Sequence, residues 1–198
     1  MKFKRLLQII RLNVVRTSGR RGQYLKTVFK SVGSDVSYQP RTIPLYPELI
    51  KFHNNIIVAS GVMFITHDAI HAMLNRLKKN DFLHERRMNS KNMTGGGSFK
   101  ERVGCIEIMD NVFIGSRSVI MYGVRIGSNV IVGANTLVNK DLEPDAVYAG
   151  IPAKKICSFD EFLKKRNNQN YCFTTHNQNI TESEIQNAWD AFDAQHSV

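Results

Sequence analysis

Between Ile108 and Glu143 an aliphatic residue returns at every sixth position: Ile108, Ile114, Ile120, Ile126, Val132 and Val138. The fifth member of each hexad is also small or apolar, running Val112, Ser118, Val124, Val130, Thr136 and Leu142. Glycine follows the lead residue at Gly115, Gly127 and Gly133. An α-helix repeats about every 3.6 residues and a lone strand about every two, so neither generates a strict six. A triangular parallel β-solenoid does. Each hexad forms one short flat wall, its lead aliphatic points into the prism, and the small residue sits at a corner.

The same phase holds upstream at Phe52, Val58 and Phe64, with Ile56, Val62 and Asp68 in the fifth places. Coils are expected from Val32 onward, with Pro40–Pro47 disturbing the register. Phe64 and Ile108 are 44 residues apart, which is not a multiple of six. An insertion therefore leaves the prism near residue 69 and returns near 104. Ile70–Lys79 reads as a helical turn or two, and Gly95-Gly96-Gly97 as a mobile tip. Before the coils, residues 1–16 read as a short basic helix broken by Thr17-Ser18-Gly19, with a second helical piece over Arg21–Lys30. After them, Ala149–Ala153 makes a turn and Phe159–Arg166 a helix. The tail 181–194 opens with a capping box, Thr181 and Glu184, and aligns Ile185, Ala188, Trp189 and Phe192 on one face. That face is expected to dock on the prism or a neighbouring subunit, with Trp189 in the core. The predicted organisation is thus a basic helical segment (1–31), a solenoid (32–156) and a helical tail (157–198).

The formal net charge is +10, and residues 1–34 hold nine Lys or Arg and no acid. Such a helix either caps the open end of the solenoid or makes weak peripheral contact with an anionic membrane leaflet. No nucleic-acid-binding signature accompanies the basic charge, so no nucleic-acid partner is expected; a phosphorylated small molecule suits a solenoid better. Cys105, Cys157 and Cys172 are odd in number and lack ligand spacing. With neither a spanning apolar run nor a cleavable leader pattern, they lead to the expectation of a cytoplasmic protein.

Several stretches resemble the closing coils of the hexapeptide-repeat acyltransferases. They are Asp110–Ser116, Gly123–Gly127, Val132–Asp141 and Ala149–Ile156. The pattern is most similar to the galactoside, maltose and xenobiotic O-acetyltransferase branch, and the resemblance covers about residues 32–156. It implies a mainly β fold, a left-handed parallel β-helix, which periodicity alone does not reveal because parallel crossovers are ordinarily right-handed. It also implies a homotrimer with active sites between subunits and acetyl-CoA as co-substrate, with no metal.

On this resemblance His67 matches the catalytic base, which an alcohol nucleophile requires near neutral pH. Ser116, Ala134, Asn139 and Lys140 match positions lining the CoA groove, and an N–H near Ser116 is expected to hold the oxyanion. Lys154 and Lys155 match positions facing the nucleotide phosphates. His71 and Phe113 fall at the acceptor pocket, Phe113 standing where galactoside-type members carry Trp. Asp68 either orients an imidazole or hydrogen-bonds its corner. The function implied is acetyl transfer to a hydroxyl of a sugar, polysaccharide precursor or related acceptor. Two other readings stay open. One is a γ-class carbonic anhydrase-like metalloenzyme drawing on His53, His67, His71 and His84; the other is a non-enzymatic scaffold on an anionic surface.

Overall fold

The computed structural model describes residues 2–76, 99–167 and 180–196. They fall into two compact units, 1–160 and 161–198. The glycine run at 95–97, the helix expected beyond residue 76, His84 and Cys172 lie outside the described residues.

Three parallel walls build the first unit. One comprises β1 (Ser31–Val32), β3 (Ile50–Phe52), β8 (Ile106–Ile108) and β11 (Val124–Ile126). The second comprises β2 (Val36–Tyr38), β4 (Ile56–Val58), β9 (Val112–Ile114), β12 (Val130–Val132) and β14 (Ala146–Ala149), closed by antiparallel β15 (Lys154–Ser158). The third is β5 (Met63–Phe64), β10 (Val119–Ile120) and β13 (Leu137–Val138). Neighbours in the later coils stand 18 residues apart, three hexads: Ile106 with Val124, Val112 with Val130, Val119 with Leu137. All six lead aliphatics are fully buried, and the fifth-position residues are 0–3% exposed. Each large aliphatic so buried contributes about 1.5–3 kcal/mol.

The first coil takes 20 residues (Ser31 with Lys51, Val36 with Ile56). Its two extra residues lie between β2 and β3, the stretch carrying Pro40, Pro44 and Pro47. Between the second and third coils partners stand 56 apart (Ile50 with Ile106, Val112 with Ile56, Met63 with Val119), so the insertion adds 38 residues to a regular 18.

The corner between the first two walls needs a left-handed backbone. Asn55, Asn111, Asn129 and Asp145 supply it at φ 53, 59, 56 and 58°, a region that Asn and Asp tolerate better than other side chains. Their side chains also link the coils. Asn55 Nδ2 donates to Asn111 Oδ1 (2.8 Å), Asn111 Nδ2 to Asn129 Oδ1 (2.9 Å) and Asn129 Nδ2 to Asp145 Oδ1 (2.7 Å). Asn111→Gly removes two of these bonds and relieves the backbone, at a cost of about 1–2 kcal/mol; Asn111→Ala adds about 1 kcal/mol of strain. Denaturant melts of the two variants are expected to rank in that order.

Helices α1 (Lys2–Val14) and α2 (Ser18–Leu25) cover the first coil, with Leu12 and Leu25 fully buried and joined to its core. Helix α2 starts three residues before the expected Arg21 and ends at Leu25, short of Lys30. Thr17 acts as its N-cap, accepting the Arg20 N–H, so the segment read as a break is a helix start. Arg21 is 5% exposed. Its Nε donates to the Tyr38 carbonyl (2.8 Å) and its Nη1 to those of Val15 (3.0 Å) and Arg16 (2.9 Å), tying both helices to β2. Burial, then the nearby Arg41 charge, lowers its pKa from 12.5. Gly22 lies so close to β2 that a Cβ there would stand 1.9 Å from the Val36 carbonyl oxygen. Gly22→Ala is therefore expected to lower unfolding free energy by about 1–3 kcal/mol, read as a lower thermal midpoint.

Helix α4 (Phe159–Asn167) follows β15 directly, as expected; the intervening label α3 belongs to Ile70–Leu74 at the insertion. In the second unit α5 (Glu182–His196) carries the expected capping box: Glu184 N–H donates to Thr181 Oγ1 (3.3 Å) and Thr181 N–H to Glu184 Oε2 (2.8 Å). Trp189 is not core. It is 58% exposed and meets Phe192 edge-on at 5.7 Å, a contact within its own helix.

Candidate active site

The chain leaves the third wall through β6 (His67–Asp68) and returns through β7 (Arg102–Val103). The two pair antiparallel, His67 opposite Val103 and Asp68 opposite Arg102. This neck sets His67 at the corner between the third and first walls. Thr66, fully buried, donates to the Leu45 carbonyl and so pins the adjoining loop of the first coil beside it. Tyr46, in the left-handed region at φ 52°, then meets the imidazole edge-on at 5.6 Å.

Tyr46 also donates its hydroxyl to Glu101 Oε2 at 2.8 Å. The other oxygen of that carboxylate lies 4.0 Å from His67 Nε2, an electrostatic contact longer than a hydrogen bond. His67 Nδ1 is buried without a hydrogen-bond partner among the described residues, as is His71 Nδ1. Tyr46 and Glu101 are absent from the sequence-predicted set. They stand 55 residues apart and on either side of His67 in the chain, so only the neck brings them together. The bond to Glu101 raises the Tyr46 pKa above 10, helped by burial and by the charges of Glu101 and Glu48. Glu101→Gln is expected to bring the Tyr46 ionisation back toward its ordinary value, seen by NMR titration of ring-labelled tyrosine against Tyr46→Phe.

Asp68 holds its corner rather than an imidazole. Its Oδ1 accepts the Ile70 N–H (3.1 Å) at the start of α3, and its Oδ2 accepts the Tyr122 hydroxyl (3.0 Å). The carboxylate beside His67 is Glu101. His71 sits half-buried in α3.

The other predicted residues divide between two corners. Ser116 and Ala134 share the corner between the second and third walls, where the Asn135 N–H donates to the Ser116 carbonyl (2.8 Å). Coils there are tight: a Cβ on Gly115 would stand 2.5 Å from the Ala134 nitrogen. Lys154 joins them, paired with Ala149, whose Cβ lies against Gly133. Lys155 pairs with Tyr148. Successive strand residues leave on opposite faces, so these two exposed lysines do not face one phosphate together. Asn139 and Lys140 follow β13 and belong to the His67 corner instead. Phe113 is 41% exposed on the outer face of the second wall, in register with Ile57 and Ile131.

Clefts of about 410 Å³, between α2 and β2, and about 340 Å³, along the first wall, contain none of the predicted residues. Among the described residues no three His, Cys, Asp or Glu side chains cluster as metal ligands. His53 is engaged by Glu107 (3.1 Å), which also holds Arg125 (2.8 Å).

Residues 106–140 match the family model for bacterial transferase hexapeptide (six repeats). The chain is similar to chloramphenicol acetyltransferase of Klebsiella aerogenes, 43% identical over 56 residues, 28% of this chain. That match spans 27% of the relative's length, so the chain covers about a quarter of it. A galactoside acetyltransferase solved in complex with coenzyme A shares the fold at TM-score 0.53 and 23% identity, over 82% of each chain. So does a maltose O-acetyltransferase from Clostridium difficile 630, at 0.51 and 21%, over 76% of this chain and 82% of that one. Repeat, coil register and these likenesses together place the chain in the bacterial transferase hexapeptide family, on a left-handed parallel β-helix.

Proposed function

We propose that the protein is an acetyl-CoA-dependent O-acetyltransferase acting on a hydroxyl of a sugar, polysaccharide precursor or related small acceptor, in the cytoplasm. The observation that carries this reading is His67 at the prism edge, its ring bracketed by Tyr46 and Glu101 at the mouth of the insertion. An imidazole so placed can accept the acceptor hydroxyl's proton as the oxygen attacks the thioester carbonyl. The C–S bond then breaks and the thiolate leaves; the proton held on the ring is available to it. Glu101 offers the resulting imidazolium a negative partner. No covalent acyl-enzyme is needed.

Coenzyme A in the galactoside acetyltransferase complex supports the donor. In this chain the small corner residues Ser116 and Ala134 leave room for an extended arm, and Lys154 provides a cation at its end. The N–H groups on either side of Ser116, those of Gly115 and Arg117, donate to the Val132 (2.8 Å) and Ser60 (3.0 Å) carbonyls. This narrows the expected oxyanion donor to the N–H of Ser116 itself. Galactoside, maltose and chloramphenicol are unlike acceptors, so the acceptor is set outside the shared coils, by the insertion and by residues such as His71 and Phe113.

His67 and the Ser116–Ala134 corner lie on opposite edges of the third wall. A homotrimer solves that separation, since one subunit's imidazole can face its neighbour's donor groove. His67→Ala is expected to retain the oligomer and CoA binding by calorimetry, while thiol release from acetyl-CoA with a panel of sugars falls by about 10²–10⁴-fold. Turnover unchanged by the substitution rules the assignment out.

A further inference from the structure

Helix α1 has two apolar faces, and the solenoid uses only one. Through the first, Leu12 is fully buried, while Arg5 and Asn13 reach the Ile43 and Arg41 carbonyls at 3.3 and 3.0 Å. On the second, Leu6, Leu7, Ile10 and Val14 are 50–74% exposed. At helical spacing these four fall within about 100° of the circumference, a continuous stripe. Nothing in the fold requires four large aliphatics there, since the seat on the first coil is complete without them.

The charge around the stripe has one sign. Residues 1–34 contain nine Lys or Arg and no Asp or Glu, and Arg11, Arg16, Arg20 and Lys26 are all exposed. Two copies meeting stripe to stripe across a two-fold axis would set these cations against each other. An anionic surface with an apolar interior satisfies both features at once. The 13-residue helix is about 20 Å long, too short to span a bilayer but suited to lying along one. No helix among the described residues is long and apolar enough to cross a membrane.

We propose that α1 is an interfacial anchor for anionic membranes: Leu6, Leu7, Ile10 and Val14 enter the headgroup–acyl boundary while Arg11, Arg16 and Arg20 meet the lipid phosphates. The solenoid then rides on the surface through the opposite face of the same helix. The inference stands independently of the acetyl-transfer reading.

The test is co-sedimentation of the full chain with vesicles of phosphatidylcholine mixed with phosphatidylglycerol, against phosphatidylcholine alone. Binding is expected to the mixed vesicles and to weaken with salt. Leu7→Ser/Ile10→Ser is expected to reduce partitioning at least about tenfold, with an unchanged thermal midpoint because both side chains are exposed. Each of Arg11→Gln and Arg20→Gln is expected to reduce it about fivefold. The proposal is overturned if the native chain ignores anionic vesicles, or if the double variant binds them equally well. An oligomer that the double variant dissolves, in a chain without vesicle affinity, assigns the stripe to a second copy and overturns it as well.

Discussion

Parallel strands one coil apart complete each other's backbone hydrogen bonds only if every coil advances by the same number of residues. That number is 18, and the molecule keeps it by exporting each irregularity to a corner. Two extra residues bow out between β2 and β3, and 38 more leave through β6. Walls consume their own N–H and C=O groups and point alternate side chains into a sealed prism, so they offer little to a ligand. Corners are where the backbone turns left-handed, where Asn55, Asn111, Asn129 and Asp145 brace one coil to the next, and where His67 emerges. The geometry that stabilises the stack therefore also decides where chemistry is available.

The prism was legible from sequence because burial imposes its period directly. Ile108 and its successors had to be aliphatic at every sixth place, and each proved fully buried. The turn chemistry was equally written in residue types: Asn111 and Asn129, one coil apart, mark a left-handed corner, though the hexad pattern alone did not draw attention to it. Thr17 was misread as part of a break for a related reason, since a capping residue and a helix breaker share the same small polar chemistry.

What the repeat does not govern stayed hidden. Glu101 reaches His67 across an insertion whose length follows no period, so spacing gave no hint of the pair. Lys154 and Lys155 were grouped by adjacency, whereas strand alternation separates them. Trp189 was assigned to the core because its helix is amphipathic, yet an apolar stripe predicts only that some surface could cover it. Asn139 and Lys140 were grouped with Ser116 by resemblance, and the coil path assigns them to another corner.

The neck deserves a different emphasis from the wall it interrupts. Two residue pairs, His67 with Val103 and Asp68 with Arg102, are the whole strand connection between the insertion and the stack. The coil on either side closes without reference to what hangs from it, since β5 and β10 pair directly. Such a socket allows segments of unlike length and composition to be exchanged over evolutionary time while the imidazole keeps its post. Diversification in a lineage built this way can proceed by grafting rather than by repacking.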